Sequence, residues 1–247
     1  MSKQTLTTDV VIIGAGIAGL WLHNRLNQMG FHALLLENKT IGNAQTLSSQ
    51  GIIHGGAKYA LNGILSKATQ AIGDMPARWQ ACLAGDGDVD LTDVSVLADH
   101  QLLWSKDQLS SKMMSFFASK ALSSRMKTVA KPDQPALFQD PKFKGTLYQL
   151  DEPVLDIPSV LTALATPWQH RIIHTANAEI NWLQDDDGVQ ALQLGDKLEV
   201  QAQHIVLTAG EGNEDLLNNL GIKKPEMQRR PLQMVMCKTK DLAQSLP

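Results

Sequence analysis

Asp9–Glu37 reads DVVIIGAGIAGLWLHNRLNQMGFHALLLE, and the fold turns on this stretch. Val10 to Ile13 form an apolar, β-branched run long enough for one buried strand. Gly14-Ala15-Gly16-Ile17-Ala18-Gly19 follows at once, a G-x-G-x-x-G. Ala18, Leu22, Leu26 and Met29 recur at helical spacing, and Gly30 is placed to close that helix. Ala33 to Leu36 make a second apolar strand with Glu37 at its end. Gly14 permits a tight turn, Gly16 lets backbone approach a ligand, and Gly19 allows the helix to pack closely on the strand. The unpaired N–H groups of the first helical turn, with the helix dipole, favour a phosphate. A carboxylate at the end of the second strand accepts from ribose hydroxyls and repels a 2′-phosphate. Strand, glycine turn, helix, strand and acid stand where a dinucleotide-binding βαβ unit needs them.

The 247 residues carry 22 basic and 25 acidic side chains, a formal charge of −3. That balance speaks against general nucleic-acid binding, which rests on neutralising phosphates. Cys82 and Cys237 lie far apart without metal-ligand spacing, so buried thiols in a reducing compartment are expected and no metal is assigned. The opening residues MSKQTLTTD have no apolar h-region, and no stretch approaches the roughly 20 apolar residues of a membrane span. The reading is a soluble, cytoplasmic protein.

Beyond Glu37 a polar loop leads into Ser48-Ser49-Gln50-Gly51-Ile52-Ile53-His54-Gly55-Gly56-Ala57-Lys58-Tyr59, rich in small residues around one histidine. Asn62 to Leu83 is helical in pattern, interrupted near Gly73 and Pro76. Val94 to Leu97 and Leu102 to Trp104 look strand-like. Leu109, Met113, Phe116 and Phe117 share one helix face, expected to be core, with membrane-surface contact as the lesser alternative. Lys127 to Lys144, with three prolines, reads as a loop, and Pro158 opens a short helix through Ala165. In the last third, short strands are expected at 171–175, 179–183, 189–194, 198–201 and 204–207, with Asp185 to Gly188 as a hairpin turn. Asn213 is expected to cap a helix that ends at Gly221.

Four places then resemble one family, the flavin-dependent oxidoreductases of the D-amino-acid oxidase type. They are GAGIAG with Glu37, SSQGIIHGGAKYA, EPVLDIPSVLTAL and HIVLTAGEGN. The second is similar to the flavin-side loop of glycerol-3-phosphate dehydrogenases and L-2-hydroxyglutarate oxidases. The resemblance implies an α/β fold, with a Rossmann-like FAD-binding domain of the two-dinucleotide-binding type and an inserted α+β substrate domain. The expected boundaries are 1–75 and 161–222 for the FAD domain, 76–160 for the substrate domain, and 223–247 for a return to it.

Carried over, the resemblance places Gly14, Gly16 and Gly19, with Ile17 and Ala18 between them, on the FAD pyrophosphate and Glu37 on the ribose. Ser48, Ser49, Gly51 and Ile52 would line the path to the flavin, Ile180 would offer backbone to adenine, and Ala209 and Gly210 would pass close to the cofactor. His54 would lie beside the isoalloxazine, and an imidazole can take a proton near neutral pH. Lys58 stands where relatives hold an anionic substrate, with Arg229 and Arg230 as further cationic candidates. The implied activity is hydride removal from a CH–OH or CH–NH carbon of a small anionic substrate: a 2-hydroxy acid, an amino acid or glycerol phosphate. Family members continue past Gly212 with a stretch that covers the flavin. The expectation is therefore a C-terminally incomplete member that binds FAD weakly and turns over nothing by itself. The alternative is a non-catalytic dinucleotide-binding or assembly subunit that a partner completes.

Overall fold

The computed structural model describes residues 3–55, 72–106, 126–176, 180–186, 188–229 and 235. Its chain divides into two compact units, one formed by residues 1–49, 88–93 and 157–232, the other by 50–87, 94–156 and 233–247. The chain leaves the first unit after Ser49, rejoins it over 88–93 and returns to it at Ile157.

The first unit is built on a six-stranded sheet. Strands β1 (Gln4–Ile13), β2 (Ala33–Glu37), β8 (Ile172–His174), β9 (Ile180–Asp185), β10 (Gly188–Leu194) and β11 (Leu198–Leu207) lie in the order β8-β2-β1-β11-β10-β9. The first four in space are parallel, and β11, β10 and β9 form an antiparallel meander. Val11 and Ile13 pack with Leu36, Leu192, Leu194 and Val200 on one face. Side chains alternate along a strand, so Val10 and Ile12 face the other way, and they too are buried. Burial on both faces is why Val10 to Ile13 is an unbroken apolar run.

Two strands are longer than their apolar runs. β1 begins at Gln4, and the expected pieces 198–201 and 204–207 form one strand, because Gln4 to Ile13 pairs with Leu198 to Leu207 along its length. A polar segment such as Gln201-Ala202-Gln203 stays extended when its backbone bonds are supplied by a neighbour.

Helix α1 (Ile17–Gln28) corrects a second expectation. Its fully buried residues are Gly19, Leu20, His23, Asn24 and Asn27, while Ala18 and Met29 are exposed and Leu22 and Leu26 are half-buried. The polar stripe is buried because each side chain finds a partner, while among the described residues the His23 Nδ1 has none. His23 Nε2 meets the Ala33 carbonyl. Asn24 donates to the carbonyls of Leu20 and Leu164. Asn27 donates to the carbonyls of His23 and Ala33 and accepts from the Ala33 N–H and the Arg171 guanidinium. These bonds lock α1 to β2 and to helix α3 (Ile157–Ala165). The helix closes as expected at Gly30, with φ of +90° and bonds from the Gly30 and Phe31 N–H groups to Asn27 and Leu26. Arg25 donates to the Asp88 carbonyl at 2.9 Å, which ties residues 88–93 to this unit.

In the second unit, β4 (Gln101–Lys106), β6 (Gly145–Leu150) and β5 (Met126–Thr128) form an antiparallel sheet in that order, and β3 (Val96–Ala98) pairs with β7 (Val154–Leu155). Helix α2 (Met75–Leu83) carries Pro76 in its first turn. The helix face at 109–117 lies outside the described residues.

Candidate functional site

The glycine turn is shaped by what crosses it. Gly14 has φ of +108°, and a Cβ there would lie 2.6 Å from the Ala209 Cα, so the turn admits only glycine beside the Thr208-Ala209 backbone. A Cβ at Gly19 would lie 2.0 Å from the Gly14 carbonyl oxygen and 2.7 Å from Thr208 Oγ1. Thr208 is the peg between them: its N–H donates to the Ile13 carbonyl at 2.8 Å and its hydroxyl to the Gly14 carbonyl at 2.8 Å. The end of β11 is thus interlocked with the turn between β1 and α1, and the parallel pairing of the two strands brings them there. Sequence reading included Ala209 and Gly210 but missed Thr208, whose place at the strand's exit was the available signal.

Gly16 caps α1 in extended backbone, with no side-chain cap. A Cβ there would sit 3.2 Å from Thr46 Oγ1, and that oxygen accepts from the Ile17 N–H at 3.1 Å. Thr46 was also missed; it is brought in because the Gly42 N–H donates to the Ala15 carbonyl at 2.8 Å and anchors the 38–49 turns beside α1. Ala18 is exposed on the first turn. Ser48 and Ser49 are exposed too, with backbone N–H groups bonded within the turns to Ala44 and Thr46. Gly210, with φ of +58°, lies against the Gln45 carboxamide.

Glu37 is fixed by two backbone donors. Its Oε2 accepts from the Ala15 N–H at 2.8 Å and its Oε1 from the Lys39 N–H at 2.8 Å. A carboxylate oxygen can accept more than one hydrogen bond, so both remain competent toward a vicinal diol. Asn213 does not cap the helix it opens, α4 (Asn213–Asn219). Its side-chain oxygen accepts from the Ala209 N–H at 2.8 Å and shapes the turn after β11.

These features fit FAD, a dinucleotide with an anionic pyrophosphate and a free ribose diol. They combine a turn kept clear of side chains, a helix N-terminus whose Ile17 N–H meets only a neutral oxygen, and an oriented carboxylate at the end of β2. Ile180 opens β9 opposite Leu194, on the outer strand of the meander, and packs against the core.

In the second unit, Gly51 is buried with φ of +71°, and a Cβ there would meet the Leu155 carbonyl oxygen at 2.2 Å. Ile52 bridges to Val154, and His54 is exposed. Lys58 and Arg230 lie outside the described residues, and Arg229 pairs with Glu214 at the surface. Among the described residues, no group of three or more His, Cys, Asp or Glu could hold a metal, and no helix is long and apolar enough to cross a membrane.

The sequence profile of the FAD dependent oxidoreductase family, DAO, matches residues 9–246. The chain belongs to this family. Its cofactor is FAD. A Pseudomonas aeruginosa protein named as a probable FAD-dependent oxidoreductase is 46% identical over 239 residues, covering 97% of this chain and 60% of that one. Superposition on the crystal structure of the P. aeruginosa FAD dependent oxidoreductase gives a TM-score of 0.73 and 36% identity, covering 93% of this chain and 55% of the other. This chain therefore spans less than two thirds of the length of that relative. One of the subunits of the anaerobic glycerol-3-phosphate dehydrogenase of Haemophilus influenzae is 38% identical over 59 residues, covering 24% of this chain and 10% of its own. Glycine oxidase from Geobacillus kaustophilus shares the fold, with a TM-score of 0.66 at 14% identity over 87% of this chain and 59% of its own.

Proposed function

We propose that this chain supplies the FAD cradle and flavin-side loop of an oxidoreductase that oxidises a CH–OH or CH–NH carbon of a small anionic substrate. The observation that carries the reading is the interlock of Gly14 and Gly19 with Thr208-Ala209, beside a Glu37 carboxylate held by two backbone donors. Gly14, Gly16 and Gly19, with the Ile17 N–H, bind the pyrophosphate. Glu37 binds the adenosine ribose, and Ile180 offers backbone to adenine. Ser48, Ser49, Gly51 and Ile52 line the path toward the flavin, which, when bound, supplies the two-electron acceptor. His54 takes the proton from the substrate hydroxyl or amine as the carbon is oxidised, and Lys58 holds the substrate's carboxylate or phosphate. The likeness to part of a glycerol-3-phosphate dehydrogenase, together with the shared fold of a glycine oxidase, supports substrates of these classes. A buried free thiol at Cys82 suits a reducing, cytoplasmic setting.

The test uses a chimera in which this chain is joined to the part of the Pseudomonas relative that it does not match. FAD-loaded protein is mixed anaerobically with 2-hydroxy acids, amino acids and glycerol phosphate, and bleaching of the flavin is followed. Bleaching by one class, slowed at least about tenfold by His54→Ala, is the expected result. A chimera that binds FAD and bleaches with dithionite, but with none of these substrates, would overturn the proposal.

A further inference from the structure

His54 sits in a short extended segment that pairs with residues 153–155. Within the second unit, the Leu155 N–H donates to the Gly51 carbonyl at 2.9 Å, and the Ile53 N–H donates to the Pro153 carbonyl at 2.9 Å. Alternate residues 51 and 53 thus turn their backbone toward 153–155, as in an antiparallel ladder. The ladder would next place Gly55 opposite residue 151. Among the described residues no backbone carbonyl takes up that bond, because the chain folds back there, with the Glu152 N–H donating to the Leu150 carbonyl at 2.7 Å. The Glu152 side chain supplies the missing acceptor: its Oε1 takes the Gly55 N–H at 2.7 Å. Its Oε2 takes the Gln101 carboxamide, an anchor on the neighbouring sheet.

Glu152 is 3% exposed. Among the described residues its side chain bonds these two neutral donors and forms no ion pair. Burying a carboxylate is costly, but both groups it links are donors, and a glutamine, with a single acceptor oxygen, could keep both links only if the Gln101 carboxamide turned over. What the carboxylate adds is a charge-assisted bond, shorter and roughly twice as strong as a neutral one. That bond falls on the residue that follows His54, and the bond of Ile53 falls on the residue before it. The backbone of His54 is therefore fixed from both sides while its ring stays exposed.

We propose that Glu152 is a positioning residue: its buried carboxylate holds the Gly55 N–H and so sets the direction in which His54 is presented. The functional half of this statement rests on the reading of His54 as the residue beside the flavin; the clamp itself does not.

Amide hydrogen exchange of residues 50–55 in the full chain, with the pH titration of the His54 ring followed by NMR, tests it. In Glu152→Gln the Gly55 amide is expected to exchange about three- to tenfold faster, with the strands of the other unit unchanged and the His54 ring signal displaced. In Glu152→Leu the Gly55 amide loses its protection, and the His54 ring signal is displaced further. A Gly55 exchange rate equal to the parent's in Glu152→Gln, or an equal rise across every strand, would overturn the proposal whether or not the leucine variant folds. In the chimera, His54→Ala without effect on flavin reduction, alongside the expected exchange result, would remove the catalytic reading and leave the clamp standing.

Discussion

His23 shows how a residue that sequence patterns pass over can govern stability. It is completely buried on the inner face of α1, and burial, joined by the nearby positive charge of Arg171, lowers its pKa from 6.5 to about 4, against the favourable bond to Ala33. The folded value lies below the unfolded one, so the unfolded chain binds the extra proton between them. Stability from the neutral ring is complete above pH 6.5 and is lost as pH falls toward 4, where both states become protonated. The expected loss is at most about 3 kcal/mol. Urea unfolding at pH 7.5 and pH 4.5 measures it, and His23→Leu should flatten the dependence. A parent midpoint unchanged between the two pH values would contradict this account of the site. Thr46 was equally silent in the sequence. An isolated hydroxyl carries no periodicity, and its role depends on which turn is brought against it.

At the scale of elements, α1 separates pattern from packing. Its position was legible from the glycine turn before it and Gly30 after it, because both ends demand special backbone. Its buried face was not, because the apolar spacing of Ala18, Leu22, Leu26 and Met29 suggested the wrong stripe. Satisfied amides can occupy a core position as well as methyl groups can, provided their bonds are complete. Asn24→Ala, which strands the Leu164 carbonyl, should therefore destabilise the fold by about 1–3 kcal/mol. Met29→Ala, at a residue 62% exposed, should change it by less than about 0.5 kcal/mol. Chemical denaturation of the two variants decides the matter, and the reverse order would restore the apolar stripe. Strands β1 and β11 teach the same lesson, since Gln4 to Thr8 and Gln201 to Gln203 are extended through pairing rather than composition.

For the whole molecule, the parts legible in the sequence were those where chemistry restricts the residue. The turn at Gly14 to Gly19, the acid at the end of β2 and the small residues after β11 each exclude most side chains, and the structure brings all three together in one unit. No break in composition marks the passages between units at Ser49-Gln50 and Asp156-Ile157. The central claim is that this turn, closed by Thr208-Ala209, is where FAD is held. Titration of the chain with FAD, followed by flavin fluorescence, tests it most directly when the parent is compared with Gly14→Ala. The added Cβ would meet the Ala209 backbone at 2.6 Å in a conformation that disfavours alanine, and neither strand end can yield without losing its pairing. The account predicts saturable FAD binding by the parent, undiminished by excess NADP, and at least about tenfold weaker binding by a variant that keeps the parent's circular dichroism, since a tenfold change needs only about 1.4 kcal/mol. A folded Gly14→Ala protein that binds FAD as the parent does would contradict it.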